Sequence, residues 1–144
     1  MSNLDVVMRY AAALHEYDIE GLVAEMHEEI VCRYPQSGEV IKGRDNYRAF
    51  LEAYPGLPQS RVDKVDYREE TFLIPSALPG QPGVTVSGVG DMFVAQSFFA
   101  YPDGSEYYVV TLFVLRGGKI AEETSYFAAP FEAPDWRAPF RQAP

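Results

Sequence analysis

The chain changes its hydrophobic period near residue 55, and that change limits the folds it can adopt. Before this point, apolar side chains recur every three or four residues, which is the spacing of one helix face. After it, turns rich in glycine and proline separate runs of β-branched and aromatic residues, which is typical of hairpins. Helices followed by hairpins predict an α+β fold, in which the helices bury one face of a mostly antiparallel sheet.

Three helices are predicted in the first part of the chain. The first covers residues 6–14, and the second covers residues 19 to about 26 with Asp18 as its N-cap. The third begins at residues 43–45 and ends before Pro55. Its apolar stripe consists of Tyr47, Phe50, Leu51 and Tyr54.

Strands are predicted between and after these helices. Residues 30–34 form one, with Ile30, Cys32 and Tyr34 on a shared face, and residues 39–41 form a short second strand. The later candidates are residues 61–74, an interrupted strand made of 84–86 and 92–101, residues 106–116 and residues 119–127.

The last segment, residues 128–144, is rich in proline, which argues against a helix. It carries three large aromatic residues, Phe131, Trp136 and Phe140. We expect this tail to wrap the surface and to place one of these rings in a groove.

Composition narrows the class of protein. The 144 residues fit a single domain with one core. The net charge of −9 argues against nucleic-acid binding, and no basic run suggests a membrane surface. No apolar run approaches the length of a membrane span, and no signal-peptide pattern is visible. Cys32 is the sole cysteine, so we expect no disulfide and no zinc cluster, and a reducing cytoplasm as the location.

Two segments carry a family resemblance. VVMRYAAALHEYDIEGLVAEMHEEIVCRYP, residues 6–35, resembles the opening of ketosteroid isomerases, and GGKIAEETSYF, residues 117–127, is similar to SnoaL-like polyketide cyclases. Both groups belong to the NTF2-like superfamily. The resemblance implies a cone in which three N-terminal helices pack on a curved, mostly antiparallel sheet around a small-molecule cavity. It also implies a homodimer formed through the exposed sheet face.

Of the four functional positions that the isomerase resemblance implies, this chain has the same type of residue at one. Its catalytic tyrosine corresponds to Tyr10, its aspartate base to Tyr34, its protonated aspartate to Thr111, and its supporting tyrosine to Leu51. A phenol with a pKa near 10 is a poor base at neutral pH, so steroid isomerisation by that route is not expected. The base must come from elsewhere, and the candidates are Glu123, Asp91 and His27.

The last strand leaves two registers open. In one, Ala121, Glu123 and Ser125 point into the cavity; in the other, Glu122, Thr124 and Tyr126 do. Burial of Ile120 favours the second register and burial of Phe127 favours the first. An inward carboxyl would be desolvated, which would raise its pKa and suit it to act as a base. Otherwise it is a solvated glutamate on the sheet.

The other candidates also have plain structural interpretations. Tyr10 is either a donor to a ligand oxygen or a core tyrosine, Asp91 is a turn residue or a base, and His27 favours a helix C-terminus. The predicted ligand contacts are Tyr34, Cys32, Tyr54, Thr111 and Tyr126.

Three functions are compatible with these residues. The first is a small-molecule-binding protein with an aromatic-lined cavity that acts by proton transfer on an oxygenated apolar substrate, as an isomerase or cyclase without cofactor or metal. The second is a non-catalytic ligand-binding or association subunit of the same fold. The third is an epoxide hydrolase or dehydratase with a rearranged carboxylate, for which Arg61-Val62-Asp63 is a weak motif.

Overall fold

The computed structural model describes residues 2–54, 66–68, 71–74, 84–101 and 103–142. Its helices are α1 (Asn3–Glu16), α2 (Ile19–Ala24) and α3 (Arg44–Glu52), with a 3₁₀ helix at Asp135–Phe140. Its strands are β1 (Met26–Tyr34), β2 (Glu39–Lys42), β3 (Asp66–Arg68), β4 (Thr71–Ile74), β5 (Val84–Val89), β6 (Met92–Ala100), β7 (Glu106–Arg116) and β8 (Lys119–Ala128).

The predicted α+β class is confirmed. The described strands form one sheet in the order β2-β1-β8-β7-β6-β5-β4-β3, and every neighbouring pair is antiparallel except the parallel pair β1–β8. Helix α1 packs on β5, β6 and β8, and α3 packs on β1 and β2. The core lies between these helices and the concave face of the sheet, which β1 enters through Ile30 and Cys32, as predicted.

Local side-chain bonds define the ends of the first two helices. Ser2 and Asp5 form a reciprocal capping box at the start of α1. Tyr17 ends α1 in the left-handed conformation, with φ of 55°. Asp18 then accepts a 3.0 Å hydrogen bond from the backbone N–H of Gly21, which confirms its assignment as the cap of α2.

A β-bulge decides the register of β8. Leu115 pairs with Ile120, whereas Val114 pairs with Glu122, so Ala121 is the extra residue. Because of this insertion, Ile120, Glu123, Ser125 and Phe127 all lie on the concave face. The burial of Ile120 and the burial of Phe127, which favour opposite registers in the sequence, are therefore compatible. Glu122 lies on the outer face, where its Oε2 is 3.1 Å from Nη1 of Arg33.

Two strand predictions are wrong. Asp66–Arg68 and Thr71–Ile74 are not parts of one strand, because they pair antiparallel with each other. Residues 61–65, with the Arg61-Val62-Asp63 motif, and residues 69–70 lie outside the described residues. The interrupted strand at 84–101 is a hairpin of β5 and β6. Gly90, with φ of 66°, allows the chain to reverse at Gly90-Asp91.

The prediction for the tail is also wrong. Phe131, Trp136 and Phe140 are all strongly exposed. Residues 135–140 form a short 3₁₀ helix that contains Pro139, with bonds such as Arg137 N–H to Pro134 C=O at 3.1 Å. Bonds to the third preceding residue form locally over so short a stretch, so the prolines do not prevent this short helix.

Candidate functional site

A funnel opens between α3 and the concave face of the sheet. Its outer cavity has a volume of about 690 Å³, and an inner chamber of about 40 Å³ adjoins it. An inner volume of that size holds roughly one water molecule or one small polar group. Six residues line both spaces and so mark the passage between them: Tyr34, Phe50, Tyr54, Tyr101, Ser125 and Phe127.

Glu123 lines the inner chamber and is almost completely buried. The pairing of β8 with β1 and β7 places it between Cys32 and Phe113. Its Oε2 accepts a short hydrogen bond from the Tyr10 hydroxyl and lies 3.9 Å from Cys32 Sγ. Its Oε1 accepts a long hydrogen bond of 3.5 Å from the Tyr47 hydroxyl, its one contact of this kind among the described residues. One carboxylate oxygen is therefore held firmly, and the other is the more available for a ligand.

Burial raises the pKa of Glu123 from 4.5 to about 7. The bonds from Tyr10, Tyr47 and Cys32 act in the opposite direction, because they stabilise the carboxylate. A carboxyl group with a pKa near neutrality changes its protonation state easily at physiological pH, which is what an acid–base catalyst requires. This arrangement can accept a proton and return it.

The groups around Glu123 are themselves held neutral. Burial raises the pKa of Tyr10 and of Tyr47 well above 10, and the neighbouring Glu123 charge adds to the effect. The same two causes raise the pKa of the Cys32 thiol. All three groups therefore act as hydrogen-bond donors and not as bases or nucleophiles.

A pair of hydroxyls lies beside Glu123 on the concave face. Thr111 and Ser125 are opposite residues of β7 and β8, both are buried, and their oxygens are 2.9 Å apart. Each hydroxyl carries one hydrogen, and their mutual bond uses only one of the two. Since Ser125 lines both spaces and Thr111 lines the inner chamber, the second hydrogen is available to a ligand oxygen.

Six half-buried aromatic side chains form a closed circuit, which we call the aromatic collar. Neighbouring ring centroids are 5.7–6.3 Å apart around the whole circuit. The collar consists, in order, of Tyr34, Phe50, Tyr54, Tyr101, Tyr107 and Phe127. All six rings line the outer cavity, and a 2.8 Å bond between the hydroxyls of Tyr54 and Tyr101 links two of them.

The structure brings several of the predicted site residues together. Glu123, Tyr34, Tyr54 and Thr111 all line the funnel. Tyr10 and Cys32 contact Glu123 but do not line either space, so the hydroxyl of Tyr10 is directed to the carboxylate and not to a ligand oxygen.

Three predicted residues lie away from the funnel. Tyr126 is exposed on the outer sheet face, because it alternates with Ser125 and Phe127. Asp91 is exposed in the β5–β6 turn, where it accepts a 3.0 Å bond from Asn3. His27 lies on β1 and not on a helix, and its Nδ1 accepts a 3.0 Å bond from the Glu29 N–H.

Sequence reasoning assigned no site role to Tyr47, Ser125, Tyr101 or Tyr107. Tyr47 had a signal that was available: it lies four residues before Leu51, to which the isomerase resemblance assigns the supporting tyrosine, and so occupies the same face of α3. Ser125 accompanies Glu123 on the inward face in one of the two registers that the sequence leaves open, and β8 buries both residues. The other two residues gave no distinguishing pattern.

Comparison with protein families decides the relationship. The model of the SnoaL-like domain matches residues 7–123, a span that runs from α1 to Glu123. The chain belongs to the SnoaL-like family. Comparison with curated protein sequences gives no match.

Solved structures of similar chains agree with this fold. An NTF-2 like protein of unknown function from Burkholderia xenovorans LB400 has 27% identity and a TM-score of 0.73, over 98% of this chain and 94% of that one. A candidate ketosteroid isomerase from Kribbella flavida DSM 17836 has 18% identity and a TM-score of 0.73, over 98% and 88%. TerC, which was co-crystallised with polyporic acid, has 19% identity and a TM-score of 0.60, over 87% and 90%. The NTF2-like cone supports a small-molecule-binding protein.

Within the described ranges, no group of three or more His, Cys, Asp or Glu side chains is placed to hold a metal ion. No helix in the described part of the chain is long and apolar enough to cross a membrane.

Proposed function

We propose that this SnoaL-like protein is a cofactor-independent enzyme that moves a proton on a small, oxygenated, largely apolar molecule, with Glu123 as the acid–base group. The observation that carries this proposal is the buried carboxyl at the end of an aromatic funnel, with a pKa of about 7. The class of reaction is isomerisation or cyclisation through an enol or enolate. The resemblance of the fold to a candidate ketosteroid isomerase supports the same class.

The proposed reaction begins at the loosely held carboxylate oxygen. Glu123 Oε1 removes a proton from the carbon next to a ligand carbonyl; the C–H bond breaks, an O–H bond forms, and the electron pair moves to the carbonyl oxygen. That oxygen accepts the spare hydroxyl hydrogen of the Thr111–Ser125 pair. The protonated Glu123 then returns the proton to carbon, at the same or at a conjugated position.

Tyr10 and Tyr47 support this reaction as positioning residues. The bond from Tyr10 fixes Oε2 and so aims Oε1 toward the chamber. Because both phenols remain neutral, they stabilise the ionised carboxylate between turnovers without competing for the proton. The aromatic collar excludes water from the chamber and binds the apolar body of the substrate.

Hydrogen–deuterium exchange tests the proposal without knowledge of the natural substrate. A panel of enolisable ketones is incubated with the protein in D₂O, and loss of the α-proton signal is followed by NMR. We expect exchange above the uncatalysed rate for at least one ketone, and loss of about 10²–10⁴-fold in Glu123→Gln. Glu122→Gln is the matched control, because its side chain lies on the outer face. Absence of exchange, or exchange that survives Glu123→Gln, would overturn the proposal.

A further inference from the structure

We propose that the aromatic collar binds an ammonium group, so that the ligand class is a small oxygenated amine with its nitrogen in the collar. This inference rests on the proposed function in one respect, since it takes the same funnel as the substrate site. Beyond the proposed function, it specifies that the ligand carries a positive charge and that the aromatic collar binds the charged group.

The geometry of the collar suits a compact cation. Neighbouring ring centroids are 5.7–6.3 Å apart around the circuit, so a compact group that contacts two adjacent rings can lie within about 6 Å of both centroids, which is within reach of cation–π attraction. Three of the neighbouring pairs meet at 78–89°. The other three pairs meet at 19–40°, so the six rings do not form two parallel walls, which would favour a flat ligand.

The charges of the outer cavity favour the same ligand. Glu39 and Asp103 line it, and no Lys, Arg or His side chain of the described residues does. The hydroxyl and the backbone N–H of Ser105 donate to Asp103 and hold its pKa below the usual range, so this carboxylate is ionised. A carboxylate-bearing ligand would meet two like charges and no counter-charge, whereas an ammonium ligand meets complementary ones.

The collar and the inner chamber together orient such a ligand. The ammonium group would occupy the collar, and the oxygen function would enter the chamber, where the Thr111–Ser125 pair has a hydrogen to donate. Buried Glu123 lies beside that oxygen. An amino ketone or an aminophenol has the required arrangement of one cation, one oxygen and an apolar body between them.

Three isosteric phenols separate charge from shape. The probes are (4-hydroxyphenyl)trimethylammonium, 4-tert-butylphenol and 4-hydroxybenzenesulfonate, titrated calorimetrically at about pH 6.5, where the phenol groups are neutral. We expect the ammonium probe to bind about tenfold or more tightly than the tert-butyl probe, and the sulfonate not to bind measurably. Equal affinity for the first two probes, preference for the neutral one, or no binding of any would overturn the inference.

A matched pair of variants assigns the effect to the collar. Tyr107→Leu removes one collar ring, and Tyr108→Leu changes the next residue of β7, which is exposed on the opposite face. Tyr107→Leu should reduce the affinity for the ammonium probe several-fold and change the affinity for 4-tert-butylphenol by less than about twofold. Tyr108→Leu should leave the affinity for both probes unchanged. An equal loss of affinity for both probes in Tyr107→Leu would show that the collar recognises the shape of the ligand and not its charge.

The same probes distinguish this inference from the proposed function. Glu123→Gln should retain the preference for the ammonium probe, because the collar and the two outer carboxylates are intact. Loss of deuterium exchange with retained selectivity supports both proposals. Selectivity without any exchange in the wild type overturns only the catalytic role, and exchange without selectivity overturns only the ammonium site.

Discussion

At the scale of single residues, Glu123 determines what the site can do. Its carboxyl is desolvated, and desolvation favours the neutral acid, while Tyr10, Tyr47 and Cys32 favour the ionised form. The first effect is the larger, so the pKa settles near 7 instead of near 4.5. A small change in these donors therefore shifts the pH at which the residue is active.

The pH dependence of exchange follows from this pKa. Glu123 must be ionised to accept a proton, so the exchange rate should rise with pH and reach half its maximum near pH 7. Tyr10→Phe removes a donor that stabilises the carboxylate and should move this midpoint to higher pH. The measurement is kcat/KM for exchange between about pH 5 and 9. A flat profile in the wild type, or an unmoved midpoint in Tyr10→Phe, would contradict the assignment of Glu123.

The same pKa predicts how stability changes with pH. Between pH 4.5 and about 7 the folded protein retains the Glu123 proton, whereas the unfolded chain has lost it. The unfolded state binds fewer protons there, so stability falls as pH rises, by about 3 kcal/mol over that window.

Glu123→Gln removes this titration. The free energy of unfolding of Glu123→Gln minus that of the wild type, both from urea denaturation, should increase by about 3 kcal/mol between pH 4.5 and 7 and remain constant above pH 7. Glu122→Gln changes a carboxyl on the outer face and keeps Glu123, so its curve should run parallel to that of the wild type. Parallel curves for Glu123→Gln and the wild type would show that the carboxyl has no raised pKa.

At the scale of elements, the two ends of β8 position the site. At one end, the bulge at Ala121 turns Glu123 inward. At the other, the side chain of Gln36, in the turn after β1, bonds both backbone groups of Phe127: its Nε2 donates to the carbonyl at 2.7 Å, and its Oε1 accepts from the N–H at 2.6 Å. This clamp holds Phe127 in the collar.

Removing the clamp should loosen the collar. Gln36→Ala loses two hydrogen bonds, which should lower the free energy of unfolding by about 1 kcal/mol. It should also reduce the affinity for the ammonium probe several-fold, because Phe127 is no longer held in place. Gln96→Ala, at an exposed position of β6, is the control. Wild-type affinity in Gln36→Ala would mean that β8 alone positions Phe127.

At the scale of the whole molecule, the sheet presents an apolar outer face. Tyr108, Val110, Leu112 and Tyr126 are exposed on neighbouring strands β7 and β8. The homodimer implied by the family resemblance would bury this face, and it remains a proposal. A contiguous patch of this kind on a soluble domain marks an interface more often than a free surface.

A single charge on that face tests the dimer. We expect a dimer by light scattering at micromolar concentration and a monomer for Leu112→Glu, because a glutamate buried between two apolar faces is strongly unfavourable. Ala49→Glu adds the same charge on an exposed position of α3 and should leave the dimer intact. A monomeric wild type, or a dimer that tolerates Leu112→Glu, would rule out this interface.

Elements whose signals are local could be predicted from the amino-acid sequence. The cap at Asp18 and the bounds of β7 were predicted correctly, because caps and alternating apolar residues act within a few positions. Gly90-Asp91 is also a local turn signal for the hairpin of β5 and β6, where the sequence analysis predicts one interrupted strand.

The composition of the site, by contrast, follows from contacts between distant parts of the chain. Whether Glu122 or Glu123 faces inward depends on the bulge against β7, and a bulge follows from pairing with another strand and not from β8 alone. Tyr10 and Glu123 are 113 positions apart, and the collar draws its rings from both ends of the chain. Such contacts, and the desolvation that raises the pKa of Glu123, exist only when distant segments pack together, so no local pattern encodes them.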